Sequence, residues 1–82
     1  MKELLEFIVK SLVTNPDAVN ITENAQEGTI DYKLEVSPDD MGLIIGKKGQ
    51  TIRAIRKLLT VRAIAENIRV SLELVDSATL DA

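Results

Sequence analysis

The chain has no cysteine and no histidine, and each absence removes chemistry. Without cysteine there are no disulfides, thiolate nucleophiles or thiolate metal ligands; without histidine the usual general base and the commonest metal ligand are gone. No apolar run approaches the roughly twenty residues that a membrane span requires. The opening residues, Met1 to Glu6, mix acids with apolar side chains and lack a small-residue cleavage site, so they do not read as a secretory signal, and a cytoplasmic location is expected. One candidate acid–base pair survives, Asp39 and Asp40. They are adjacent and follow Ser37-Pro38, where carboxylates serve the positive end of a helix, so neither an enzyme nor a metal or cofactor site is expected.

At 82 residues, 45% hydrophobic and 28% charged, the chain is one small soluble domain with a thin core and no room for a second. The net charge of −3 argues at first against a polyanionic partner. Its distribution argues the other way. From Lys47 to Arg69 stand seven of the ten basic residues and a single acid, Glu66, so this segment carries +6 and the remainder −9. Such asymmetry concentrates positive field on one region, while the acidic remainder discourages indiscriminate sticking.

Leu4, Leu5, Ile8 and Leu12 recur at helical spacing until Asn15-Pro16 stops them, which predicts a helix over 2–14. Val19 and Ile21 alternate with polar neighbours. After the polar stretch Glu23 to Gly28, Ile30, Tyr32, Leu34 and Val36 alternate with Asp31, Lys33 and Glu35, giving two strands joined as a hairpin with Gly28 in the turn. Ser37-Pro38-Asp39-Asp40 opens a short helix, with Ser37 as cap. A longer helix over about 50–65 carries Ile52, Ile55, Leu59 and Ala63 on its core stripe, while Arg53, Arg56, Lys57 and Thr60 share another arc. Arg62 falls on the core side by the same arithmetic. Asn67 suits a helix end, and Ile68, Val70, Leu72 and Leu74 form a third strand. Residues 76–82 read as a tail, leaving a domain over 1–75. The order is an α+β fold whose helices cover one face of a three-stranded sheet.

Between the last two helices lies Ile45-Gly46-Lys47-Lys48-Gly49-Gln50-Thr51-Ile52. Two glycines three positions apart allow a phosphate backbone to approach main-chain N–H groups while two lysines stand beside it. A bare pair of glycines at this spacing is also compatible with a helix C-cap or an ordinary turn; the preceding apolar run and the basic helix that follows favour a phosphate clamp. Other phosphate motifs fail. A Walker A loop needs four residues between its glycines, whereas Gly42 and Gly46 are separated by three, and a dinucleotide fingerprint needs glycine at Ile44. Gly42 reads instead as allowing close helix packing.

This element, with α-β-β before it and one strand after it, resembles the KH (K-homology) RNA-binding domain in its type II arrangement, over essentially the whole chain. The small size, the opening amphipathic helix and Asn15-Pro16-Asp17-Ala18 resemble the KhpA family of small bacterial KH proteins. The resemblance implies that about four nucleotides of single-stranded RNA or DNA are gripped at the loop while an aliphatic groove reads bases. It points to Gly46, Lys47, Lys48 and Gly49 as the clamp, Arg53, Arg56 and Lys57 on neighbouring phosphates, and Ile44 in the groove, with Ile45 and Ile52 in the core. Phe7 and Tyr32 are the only aromatics and lie on different elements, so no stacking platform worth ~1–3 kcal/mol per base is visible and weak, sequence-tolerant binding is expected. The resemblance further implies a homodimer or a heterodimer with a KhpB (Jag or EloR)-type KH protein, in post-transcriptional regulation linked to cell elongation and division. Two alternatives stay open: a KH-fold interaction domain working through its acidic exterior, and a phosphate-handling enzyme, which lacks a base, nucleophile or metal set.

Overall fold

The computed structural model describes residues 1–75, beginning with an amphipathic helix, α1 (Lys2–Leu12), whose Leu5 and Val9 are fully buried. The helix stops two residues short of its expected end. Val13 still donates to the Val9 carbonyl at 3.1 Å but is extended, and the next N–H groups find a different acceptor. Thr14 donates to Asp40 Oδ1 through its N–H at 3.0 Å and its hydroxyl at 2.7 Å, and Asn15 N–H donates to Oδ2 at 3.0 Å. A carboxylate is a stronger acceptor than the helical carbonyls these groups would otherwise meet.

Asp40 is fully buried. The Thr14 hydroxyl, followed by the Thr14 and Asn15 N–H groups, outweighs desolvation and holds its carboxyl below the ordinary value. This corrects the expectation that both acids serve the helix that follows them. Ser37 Oγ does accept from Asp39 N–H, at 3.4 Å, and Pro38 opens a single 3-10 turn over Pro38–Asp40, but the Asp40 carboxylate reaches back to the chain leaving α1.

β1 (Asn20–Gln26) and β2 (Thr29–Glu35) pair antiparallel from Asn20↔Glu35 to Gln26↔Thr29, and Gly28 supplies the left-handed φ of +70° in the two-residue turn. β1 thus runs through much of the polar stretch that the sequence had set apart as a connection. Nearly all of β1 is exposed, so it has no apolar alternation to reveal it and is held by its ladder with β2. β3 (Arg69–Val75) lies parallel on the other side of β2, from Thr29↔Arg69 to Glu35↔Val75, in the order β1-β2-β3. Parallel neighbours require a crossover. Here it comprises α2 (Met41–Ile45), a turn at Lys47–Gly49, and α3 (Gln50–Ala65).

Tyr32, Leu34, Val36 and Leu72 from the sheet meet Leu5, Val9, Ile44, Ile52, Ile55 and Leu59 from the helices in one core. The architecture is the expected α+β fold, with an open three-stranded sheet covered on one face. The Tyr32 hydroxyl is buried without a partner at hydrogen-bond length among the described residues, and desolvation, then the neighbouring Glu23, raises its pKa. Arg62 is exposed and pairs with Glu66 at 2.8 Å; the core stripe Ile52, Ile55, Leu59 and Ala63 is as read, but too narrow to include it. A Cβ built on Gly42 would meet nothing within 4 Å, so that glycine does not serve close packing. Asn67, at φ +58°, ends α3 in the left-handed region. The expected tail, 76–82, lies outside the described residues. Among those residues no helix is long and apolar enough to cross a membrane.

Candidate nucleic-acid interface

Gly46 follows α2 directly, and its φ of 74° and ψ of 175° belong to a region that only glycine occupies without strain. A Cβ there would lie 2.1 Å from Thr51 Oγ1 and 2.8 Å from the Thr51 backbone nitrogen, so the first glycine is required sterically as well as conformationally. Gly49 is left-handed at φ 77° and ψ 15° but faces open space. Between them Lys48 is also left-handed, at φ 56° and ψ 26°. For a lysine this costs roughly 1–2 kcal/mol, which the surroundings must offset. Arg53, one turn into α3, folds back to do so, donating from Nη2 to the Lys48 carbonyl at 2.8 Å and from Nε to the Gly49 carbonyl at 3.2 Å.

The Lys48 and Gly49 carbonyls are therefore occupied by a side chain of α3. The start of α3 is different. It has no side-chain cap among the described residues, and Lys47 and Lys48 are exposed beside it. The 3-10 turn takes the Gly49 and Gln50 N–H groups onto the Gly46 and Lys47 carbonyls; what stands beside them, the positive end of a helix dipole with two ammonium groups, is the kind of arrangement that suits an anion the size of a phosphate.

Of the other candidate residues, Lys57 is exposed on α3 and makes no ion pair among the described residues. Arg56 turns toward the sheet, its Nε donating to the Leu72 carbonyl at 3.2 Å. Ile44 is corrected. It is fully buried in the core, while Ile45, assigned to the core, is 37% exposed and Leu43 48% exposed. At 100° per residue a five-residue helix can turn only one side inward, and that side carries Ile44. Sequence reasoning missed the outer edge of β3, where Val70, Ser71 and Leu72 line a cleft with Arg56, Leu59 and Thr60. The fold alone brings these two segments together, and residue identity does not announce that.

Three helices over an open sheet, a parallel β2–β3 pair, and a glycine-bounded loop joining two helices inside the crossover define a KH domain of the type II order. The particular lineage is equally plain. Residues 2–74 match the family model described as KhpA/KhpB, KH domain, and the chain belongs to that family. It is 50% identical over 76 residues to the RNA-binding protein KhpA of Chlamydia pneumoniae, covering 93% of this chain and 97% of that protein. The RNA-binding protein KhpA of Clostridium acetobutylicum is 47% identical over 75 residues, 92% of this chain and all of that protein (100%). That of Halalkalibacterium halodurans is 40% identical over 76 residues, 93% of this chain and 100% of its own length. No solved structure shows a significant match.

Proposed function

We propose that this chain binds single-stranded RNA without chemistry, as a cytoplasmic RNA chaperone or post-transcriptional regulator, and that residues 1–75 are its binding domain. The relatives' names, each an RNA-binding protein, support the partner class. The observation that carries the reading is the loop: fixed left-handed backbone, carbonyls tied down by Arg53, and a helix start with no side-chain cap among the described residues, beside two exposed lysines. In this reading Gly46, Lys47, Lys48 and Gly49 hold one phosphate and Lys57 meets another, while Arg53 and Arg56 act from the positions their hydrogen bonds fix. Four neutralised phosphates on a single strand correspond to a log K versus log salt slope of about −3.

A protein-partner role has its own support. Leu58, Val61 and Ile64 are 53%, 66% and 72% exposed on the side of α3 opposite its core stripe. An apolar row of this kind suits a second KH domain, either a copy of this chain or a KhpB-type partner, and a thin core gains from such burial. A role in cell elongation and division belongs to this reading.

Fluorescence anisotropy with a short single-stranded RNA tests the clamp, comparing the chain with a Lys47→Asp, Lys48→Asp variant whose fold is checked by circular dichroism. Aspartate tolerates the left-handed backbone at position 48, so the fold should survive. The double reversal is expected to weaken binding by roughly a hundredfold. Equal binding would transfer the function to the apolar face of α3.

A further inference from the structure

The two ends of α2 are held by different means. A helix of five residues cannot stand on its own hydrogen bonds, so its place depends on what it is attached to. Near its C-terminal end Ile44 enters the core. At its N-terminal end stands Asp40, the one charged side chain that is fully buried among the described residues. Gly46 follows α2 directly and lies against Thr51 of α3, a helix anchored by Ile52, Ile55, Leu59 and Ala63. Five residues of helix put the Asp40 end of α2 about 8 Å from the start of the loop.

Asp40 occupies the N-cap position of α2, where an aspartate ordinarily accepts from the first N–H groups of its own helix. It makes no such bond among the described residues. Both of its oxygens go instead to the chain leaving α1, Oδ1 to the Thr14 N–H at 3.0 Å and hydroxyl at 2.7 Å, Oδ2 to the Asn15 N–H at 3.0 Å. The Thr14 hydroxyl also accepts from Asn15 Nδ2 at 3.3 Å, so it is committed in both directions. A local cap would stabilise α2 wherever α2 lay. The tether fixes where it lies.

We infer that Asp40 is a positioning residue for the phosphate clamp: it touches no nucleic acid, and by tying the N-terminal end of α2 to Thr14 and Asn15 it sets the place and direction from which Gly46, Lys47 and Lys48 meet a phosphate. The inference rests on the RNA-binding reading above and adds to it a residue on which the clamp depends at a distance. Charge and position act here with opposite signs. Asp40 is negative, and taking a negative charge from a protein that binds a polyanion strengthens binding if charge is all that changes. A role in stability alone leaves the affinity of the folded protein where it was. Only loss of position weakens it.

The experiment is fluorescence anisotropy with a short single-stranded RNA, near neutral pH and at a temperature where circular dichroism shows each protein fully folded, on the unaltered chain, Asp40→Asn, Thr14→Val and Thr14→Ser. Asp40→Asn keeps the shape of the side chain but turns an amide donor toward groups that are themselves donors. It is expected to bind roughly tenfold more weakly; Thr14→Val, which loses the hydroxyl and leaves every charge in place, about fivefold more weakly; and Thr14→Ser, which restores the hydroxyl, within about twofold of the unaltered chain. Should Asp40→Asn fail to fold, the Thr14 pair decides. Equal or tighter binding by folded Asp40→Asn, equal binding by Thr14→Val, or a Thr14→Ser as weak as Thr14→Val overturns the positioning role while RNA binding stands. If the unaltered chain itself does not bind, the RNA-binding reading falls and this inference with it.

Discussion

Two places in this molecule leave backbone N–H groups without helical partners, and they are treated in opposite ways. Beyond α1, Thr14 and Asn15 are met by a buried carboxylate, Asp40, from 25 and 26 residues away. At the start of α3 no side chain of the described residues caps the helix, and the charged groups of the turn before it are lysines. The donors are chemically the same; what differs is whether the chain supplies the anion. Where it does, the donors fix the path of the chain; where it withholds one and adds positive charge, the proposed clamp takes its anion from outside.

Substitutions at each place sharpen that contrast. The largest effect on stability is expected for Gly46→Ala, which needs a backbone conformation closed to alanine and drives Cβ into Thr51; chemical denaturation should show a loss of roughly 3 kcal/mol. Gly49→Ala, in open space, should lose only about 1 kcal/mol, so equal losses would mean that the two glycines do the same job. Next comes Asp40→Asn, which removes the charge from the buried acceptor; thermal unfolding at neutral pH should fall by roughly 10 °C.

The same variant has a pH signature. Because the folded-state pKa of Asp40 lies below its ordinary 3.8, its stabilising contribution is complete above that value and is lost as pH falls through the lowered folded value. The gap in unfolding temperature between the unaltered chain and Asp40→Asn should therefore be constant near neutrality and shrink below about pH 4. A gap that persisted in acid would show that the two oxygens act through shape and not charge. The smallest effect is expected for Arg53→Met. Its two hydrogen bonds are exposed, so stability should change by about 1 kcal/mol or less, while RNA affinity falls by several-fold as the loop loses its brace.

These contrasts also mark what the sequence could disclose. The stripe Ile52, Ile55, Leu59 and Ala63 and the alternation in β2 were legible because burial repeats at the period of the element. The loop was legible because glycines at fixed spacing between two helical segments leave few other structures. β1 beyond Ile21 was not, since an exposed edge strand of polar residues is defined by its partner's ladder and not by its own pattern. Nor was the inward turn of Ile44, because α2 is too short for periodicity to choose among three consecutive apolar residues. Asp40 and Arg56 share a deeper reason. Each is bonded to backbone atoms brought close only by the tertiary fold, and such atoms have no residue code.

The parallel pairing of β2 with β3 has a consequence in time. The β1–β2 hairpin closes over a two-residue turn, whereas Asp31 meets Ser71 only after a stretch of 40 positions has been brought round. Loop-closure entropy and contact order both place the second event after the first, so the open edge of β3, and the cleft beside it, is among the last features to assemble. A ligand spanning the Lys47–Gly49 turn and that edge would grip contacts formed late, and such a grip acts chiefly on the rate at which the domain comes apart.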